Sequence, residues 1–208
     1  MKIVNVEFVT STSTGAAGGF VRDDVAQFAF TGRSNVGKSS LLNALAGRKI
    51  AHTSAAAGKT RLTNTFRITA KDGPGGPGTW SCYLVDLPGY GYARGGDESA
   101  TELAAVAHTY FKSSQREDAR GAIFLLVDSR HPGLDADLQA QRWLSEVVGP
   151  PQIVATKVDK LSRKERTTNL RQLGQLFGTA VQPVSATNGE GLDELWKFIA
   201  RRARSGRA

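Results

Sequence analysis

The sequence holds one cysteine, Cys82. That excludes an internal disulfide and a cysteine-built metal site. Cys82 lies in the strand-like run WSCYLVD (80–86), so it reads as buried filler rather than a reactive thiol. Long apolar runs are also missing. No stretch reaches the roughly 20 apolar residues that a membrane helix needs, and the opening segment MKIVNVEFVTSTSTG lacks the apolar centre of a secretory signal. The expectation is a cytoplasmic protein without membrane contact. Acids are scarce: 19 Asp and Glu against 27 Lys and Arg leave a net charge of +8. The closing run WKFIARRARSGRA carries Lys197, Arg201, Arg202, Arg204 and Arg207 and no acid. Such a balance favours polyanionic partners, nucleic acid first; a solvated surface or a frayed terminus explains the tail equally well. No repeat or linker divides the 208 residues. One domain is expected over 1–208, with an N-terminal extension over 1–20 and a basic tail over 201–208.

Small and polar residues crowd instead into TGRSNVGKSS (31–40), between the apolar run VAQFAF and the helical run LLNALAG. Gly32 to Gly37-Lys38-Ser39 has the spacing G-x-x-x-x-G-K-[ST] of a phosphate-binding loop. Its glycines let backbone N–H groups turn inward with no Cβ in the way. Together with the positive end of the following helix they form a concavity for phosphate oxygens. Gly32, Arg33, Ser34, Asn35, Val36, Gly37, Lys38, Ser39 and Ser40 are therefore the candidate phosphate cradle. Lys38 would reach the β- and γ-phosphates, and the Ser39 hydroxyl would ligate Mg²⁺. A Gly/Ser turn can match the pattern by chance, but here it follows a strand and opens a helix, the context the motif requires.

The rest of the chain alternates. AQFAF (26–30) reads as a strand and 38–46 as a helix with Leu41, Leu42 and Leu45 inward. NTFRIT (64–69) and WSCYLVD flank the Gly/Pro-dense turn KDGPGGPG (71–78) and should pair as an antiparallel hairpin. Leu103, Val106, Ala107, Tyr110 and Phe111 have helical spacing within 98–112. GAIFLLVD (121–128), QIVAT (152–156) and AVQPVS (180–185) are further strands. Helices are marked by Leu134, Leu138, Leu144 and Val148, by Leu170, Leu173 and Phe177, and by Leu192, Leu195, Trp196 and Ile199. STSTGAAGG (11–19) and AHTSAAAGKTRLT (51–63) read as loops. The expected fold is α/β: a six-stranded, mostly parallel sheet with one antiparallel edge hairpin and helices on both faces.

In such sheets ligands sit beyond the carboxyl ends of the strands. DLPG (86–89) stands at one such end: Asp86 can hold Mg²⁺ through water, and Gly89 can offer its N–H to a γ-phosphate. TKVD (156–159) stands at another. An ionised carboxylate only accepts hydrogen bonds and can accept two side by side. Guanine offers two adjacent donors, N1–H and the 2-amino group; adenine offers an acceptor at N1 and nothing at position 2. Asp159 would therefore select guanine, and an unpaired site can reject the wrong base by about 10⁴-fold. Thr156 and Lys157 precede it, and the Lys157 stem can lie over the base. SATNGEG places Ser185 and Ala186 where a backbone N–H would meet guanine O6. Each cluster alone suits an ordinary strand-end turn; in this order and spacing they name GTP and GDP as ligands.

With these motifs in order the chain resembles the translation-factor-like GTPases. More narrowly it resembles the EngB (YihA/YsxC) family of bacterial ribosome-biogenesis GTPases, within the TrmE-Era-EngA-EngB-septin-like P-loop group. The resemblance covers residues 20–200 and rests on GRSNVGKSSLLNAL, GKT (58–60), DLPGYGYA (86–93), TKVDKLSRKE and VSATNGEGLDEL. It implies a single P-loop GTPase domain in which Gly58, Lys59 and Thr60 lie in the first switch, with Thr60 joining Ser39 and Asp86 on Mg²⁺. It implies catalysis through Lys38, Thr60 and Gly89 by positioning and electrostatics, without a covalent intermediate. Two departures stand out: no proline precedes the first strand in RDDVAQFAF, and none precedes Gly58.

Where GTPases such as Ras carry a water-orienting glutamine after D-x-x-G, this chain has Tyr90. Slow intrinsic hydrolysis follows, aided by a monovalent cation or a partner. Asn35 sits where related potassium-activated GTPases hold K⁺, which would do the electrostatic work of an arginine finger. A plain turn role for Asn35 stays equally open. The resemblance further implies a monomer that serves large-ribosomal-subunit assembly, touches the subunit or its rRNA, and is needed for normal cell division and septation. The alternative is a GTP-gated rRNA-binding module in which hydrolysis only resets the switch. An ATPase or small-molecule kinase is a third reading, against which TKVD argues.

Overall fold

The computed structural model describes residues 1–13, 21, 23–51, 62–73, 76, 78–90 and 121–205. The elements in chain order are β1 (Lys2–Ser13), β2 (Gln27–Gly32), α1 (Lys38–Ala46), β3 (Leu62–Lys71), β4 (Thr79–Asp86) and β5 (Gly121–Asp128). They continue with α2 (Asp135–Val148), β6 (Gln152–Thr156), a 3₁₀ turn (Val158–Lys160), α3 (Arg163–Phe177), β7 (Val181–Pro183) and α4 (Leu192–Arg204). The sheet order is β1-β3-β4-β2-β5-β6-β7. β2, β4, β5, β6 and β7 run parallel. β3 pairs antiparallel with both β4 and β1.

The sheet thus has seven strands rather than the six expected. The added strand, β1, occupies most of the segment expected to be an extension, and it, not the β3–β4 hairpin, forms the antiparallel edge. Its register slips between Ile3 and Asn5 and between Phe8 and Thr10. These bulges put Val4 and Val9 out of phase and expose them, which breaks the alternation by which a strand is recognised. The helix expected over 98–112 lies outside the described residues.

Strand β5 shows how the centre is packed. Phe124 and Leu126 face a core shared with Leu41, Leu42 and Leu45 of α1 and Leu195, Trp196 and Ile199 of α4. Leu125 and Val127 face the opposite core, with Leu144 of α2 and Leu173 and Phe177 of α3. The period of two on a strand buried on both faces gives this continuous apolar run. Within the basic end of the chain, residues 201–204 continue α4. Arg204 lies over the Trp80 ring at 5.0 Å and ion-pairs with Asp72, and Arg202 donates to the Gly121 carbonyl at 2.8 Å. Arg207 lies outside the described residues.

Candidate nucleotide-binding site

The parallel strands β2, β4, β5, β6 and β7 end on the same side of the sheet, and the polar clusters follow those ends. Gly32 closes β2 against β5: a Cβ there would lie 2.8 Å from the Leu126 carbonyl oxygen, so no larger residue fits. The loop then needs left-handed backbone at Asn35 (φ 65°) and Gly37 (φ 106°). Glycine adopts this freely and asparagine more readily than most. Gly37 caps α1 without a side-chain hydrogen bond, and the first turn of α1 holds no acid. The N–H groups there have no intrahelical acceptor and the helix dipole is uncompensated, so an anion is favoured.

Lys38 and Asp86 meet as an ion pair, their side chains only 10% and 4% exposed. Gly89 follows closely: a Cβ on it would approach the Gly32 carbonyl oxygen at 3.1 Å and the Ser34 nitrogen at 3.5 Å. D-x-x-G is therefore seated on the loop. Gly58, Lys59 and Thr60 lie outside the described residues.

The base loop is tied to the phosphate loop from the other side. The Thr156 hydroxyl donates to the Val36 carbonyl at 2.6 Å. Lys157, in left-handed backbone at φ 61°, donates its ammonium to the Asn35 carbonyl at 2.6 Å and to Asp128 at 2.9 Å. Asp128 also receives both Nε (2.9 Å) and Nη2 (2.8 Å) of Arg130. Burial would raise the Asp128 carboxyl, but hydrogen bonds from Arg130 and Lys157 outweigh it and hold it well below the usual carboxylate range.

That shift has a sign. A lowered folded-state value stabilises the fold above the unfolded value of about 3.9 and is lost as pH falls through and below it. Both cationic partners are partly exposed, so Asp128→Ala should cost only about 1–2 kcal/mol at pH 7. By urea denaturation the gap to wild type should narrow below about pH 4; an equal gap at pH 7 and pH 3 contradicts this account.

Asp159 sits in the 3₁₀ turn. Burial would raise its carboxyl, but the Ser185 hydroxyl, donating at 2.8 Å, and Lys160 lower it, so it stands ionised at neutral pH. Each partner uses one lone-pair site, and a carboxylate has about four. Acceptor capacity therefore remains for a ligand with two adjacent donors. Ser185 donates its own N–H to the Glu190 carbonyl at 2.9 Å. Its hydroxyl accepts the N–H groups of Thr187 (3.2 Å) and Asn188 (3.3 Å), which fixes the turn that presents Ala186. A capping box at Ser162 and Glu165 starts α3 just beyond Asp159.

The candidate residues on the described segments thus come together from four strand ends. Sequence reasoning missed Asp128 and Arg130, whose only signal was an acid ending an apolar strand, and Asp137, which lies distant in sequence. Asp137 lies in the first turn of α2, is 2% exposed, and accepts the Tyr90 hydroxyl at 2.8 Å. Burial first, then the Asp137 carboxylate, raises the Tyr90 hydroxyl well above its ordinary value.

The chain is similar to known proteins. A model of the family described as 50S ribosome-binding GTPase matches residues 27–157. The probable GTP-binding protein EngB of Pelotomaculum thermopropionicum is 39% identical over 206 residues, 97% of this chain and 96% of the relative. That of Thermotoga maritima is 39% identical over 178 residues, 84% of this chain and 85% of the relative. The crystal structure of a probable GTP-binding protein EngB superposes with a TM-score of 0.57 at 20% identity, covering 86% of this chain and 99% of that one. Era in complex with MgGDPNP and a 16S ribosomal RNA segment gives 0.62 at 25% identity, covering 87% of this chain and 57% of Era. Among the described residues no helix is long and apolar enough to cross a membrane. Family model, relatives and site geometry agree: this chain belongs to the EngB family of GTP-binding proteins, single-domain P-loop GTPases.

Proposed function

We propose that this chain binds GTP and GDP with Mg²⁺, hydrolyses GTP slowly, and acts as a switch in large-ribosomal-subunit assembly. The observation that carries the nucleotide reading is the convergence of the two loops: Thr156 and Lys157 of the base loop bond directly to the phosphate-loop carbonyls of Val36 and Asn35. Base and phosphates would thereby be held at a fixed separation. In this reading the N–H groups of 32–40 wrap the phosphates. Lys38 leaves Asp86 for the β/γ oxygens. Asp159 takes N1–H and the 2-amino group of guanine, and Ala186 gives its N–H to O6.

The donor set fits Mg²⁺. Ser39 and Asp86 offer a hydroxyl and a carboxylate, and Mg²⁺ is commonly bound through one or two protein oxygens plus substrate phosphates. The ion would neutralise charge between the β- and γ-phosphates. Thr60 would be a further ligand by resemblance. The protein's own part is to orient: Lys38 and the Gly89 N–H would face the γ-phosphate, and Tyr90 stands where a glutamine would orient the attacking water. Intrinsic turnover should therefore be low.

K⁺ beside Asn35 would raise it. Single-turnover hydrolysis should then run faster in potassium than in sodium, and Asn35→Ala should abolish that difference. Equal wild-type rates in both salts contradict the cation reading.

The ribosomal reading draws on the 50S-binding description of the family model, on the rRNA complex of Era, and on the +8 charge. A monomeric state and a link to cell division rest on the family resemblance alone. Co-sedimentation with ribosomal subunits tests it: the chain should travel with the large subunit with a non-hydrolysable GTP analogue and be released with GDP. Failure to travel with either nucleotide contradicts it. Steeply salt-dependent rRNA binding that differs between the two nucleotides would favour the gated binding module instead.

A further inference from the structure

We infer that Tyr90 and Asp137, with the partly exposed Arg33 beside them, form a buried anchor that positions Gly89 for the γ-phosphate, with Tyr90 as a positioning residue. The inference rests on the nucleotide reading above and concerns what fixes D-x-x-G relative to the phosphate loop.

Backbone bonds join the two segments as a short parallel bridge between Arg33 and Tyr90. The Tyr90 N–H donates to the Gly32 carbonyl at 3.3 Å, and the Ser34 N–H donates to the Tyr90 carbonyl at 3.0 Å. Both side chains then turn to the same carboxylate. The Tyr90 hydroxyl donates to Asp137 Oδ1 at 2.8 Å, and Arg33 Nε stands 4.0 Å from that atom. Tyr90 is 4% exposed and Asp137 2%. Arg33 Nε is itself buried without a hydrogen bond, although the rest of its side chain is partly exposed, so this end of the guanidinium faces Asp137.

A tyrosine packed into the apolar layer below the sheet with Leu87, Leu125 and Leu144 points away from any water over the phosphates. What it does instead follows from its neighbours. The anchor holds residue 90 from below, the bridge holds it to 32–34, and Gly89 is thereby pinned so close to the phosphate loop that a Cβ on it would meet the Gly32 carbonyl oxygen and the Ser34 nitrogen. An N–H meant for a γ-phosphate must be fixed before the ligand arrives if the ligand is not to bear the ordering cost. A buried hydroxyl–carboxylate bond supplies this where an exposed one would not.

The test uses Tyr90→Phe, which keeps the ring and removes the hydroxyl. Affinities for GDP and for a non-hydrolysable GTP analogue are measured by calorimetry on the full chain. GDP binding should stay within about twofold, and analogue binding should weaken about tenfold, because only the triphosphate uses Gly89. Asp137→Leu, which cannot accept the hydroxyl, should give the same selective loss, and the double variant should lose little more than either single one. Asp137→Asn, which still accepts, should stay close to wild type. Equal loss for both nucleotides, no loss, or tighter analogue binding in Tyr90→Phe overturns the anchor while intact GDP binding leaves the nucleotide reading standing. A wild-type chain that binds neither nucleotide overturns both.

Discussion

Lys38→Ala should lose tight binding of GDP and GTP by about 10²–10³-fold, or about 3–4 kcal/mol. The size follows from what the ammonium would touch. Hydrogen bonds to charged groups contribute about 1.5–3 kcal/mol each, and Lys38 would bond two phosphates. The substitution has a second effect. Asp86 is 3% exposed and ion-paired with Lys38, and removing one partner of a buried pair costs about 3–5 kcal/mol. The free variant should therefore melt several degrees lower, and binding must be compared below that melt. Calorimetry that finds GDP affinity within about threefold of wild type would remove the phosphate-loop reading. Ser39→Ala should behave differently: nucleotide binding without Mg²⁺ should hardly change, and the Mg²⁺-dependent gain should be lost.

Asp159→Asn should exchange guanine for xanthine. Xanthosine triphosphate carries a 2-oxo acceptor where guanine has an amino donor, and the asparagine amide can donate to it. GTP affinity should fall by about 10²–10⁴-fold while that of the xanthine nucleotide rises. Ser185 sharpens the expectation. Its hydroxyl donates to Asp159 and helps keep the carboxylate ionised, so Ser185→Ala should weaken GTP by about tenfold without altering base choice. An Asp159→Asn chain that still prefers guanine would mean that another group reads the base.

The parts of the fold legible in the sequence are those where local chemistry agrees with tertiary placement. GAIFLLVD is apolar throughout because β5 is buried on both faces. Leu41, Leu42 and Leu45 recur at helical spacing because α1 lies on the sheet. The phosphate and base loops are legible because backbone geometry and hydrogen-bond valence leave few substitutes for Gly37 (φ 106°) or for a carboxylate at Asp159. β1 was illegible because its bulges at Val4 and Val9 interrupt the alternation. Asp128, Arg130 and Asp137 were illegible for another reason. Asp128 bonds Lys157 and Asp137 bonds Tyr90 across 29 and 47 residues of sequence, and no spacing rule records such pairs; Arg130, only two residues from Asp128, gains its role through that same carboxylate. Tyr90 in the sequence reads as the absence of a glutamine; only its buried hydroxyl bond gives it a role of its own.

The central claim is a site that requires both a phosphate loop and a guanine-reading carboxylate. The most direct measurement is displacement of a fluorescent GDP from the wild-type chain by GTP, XTP and ATP. GTP should compete at concentrations near that of GDP, with ATP and XTP ineffective at about a thousandfold excess. ATP competing within about tenfold of GTP would contradict the account.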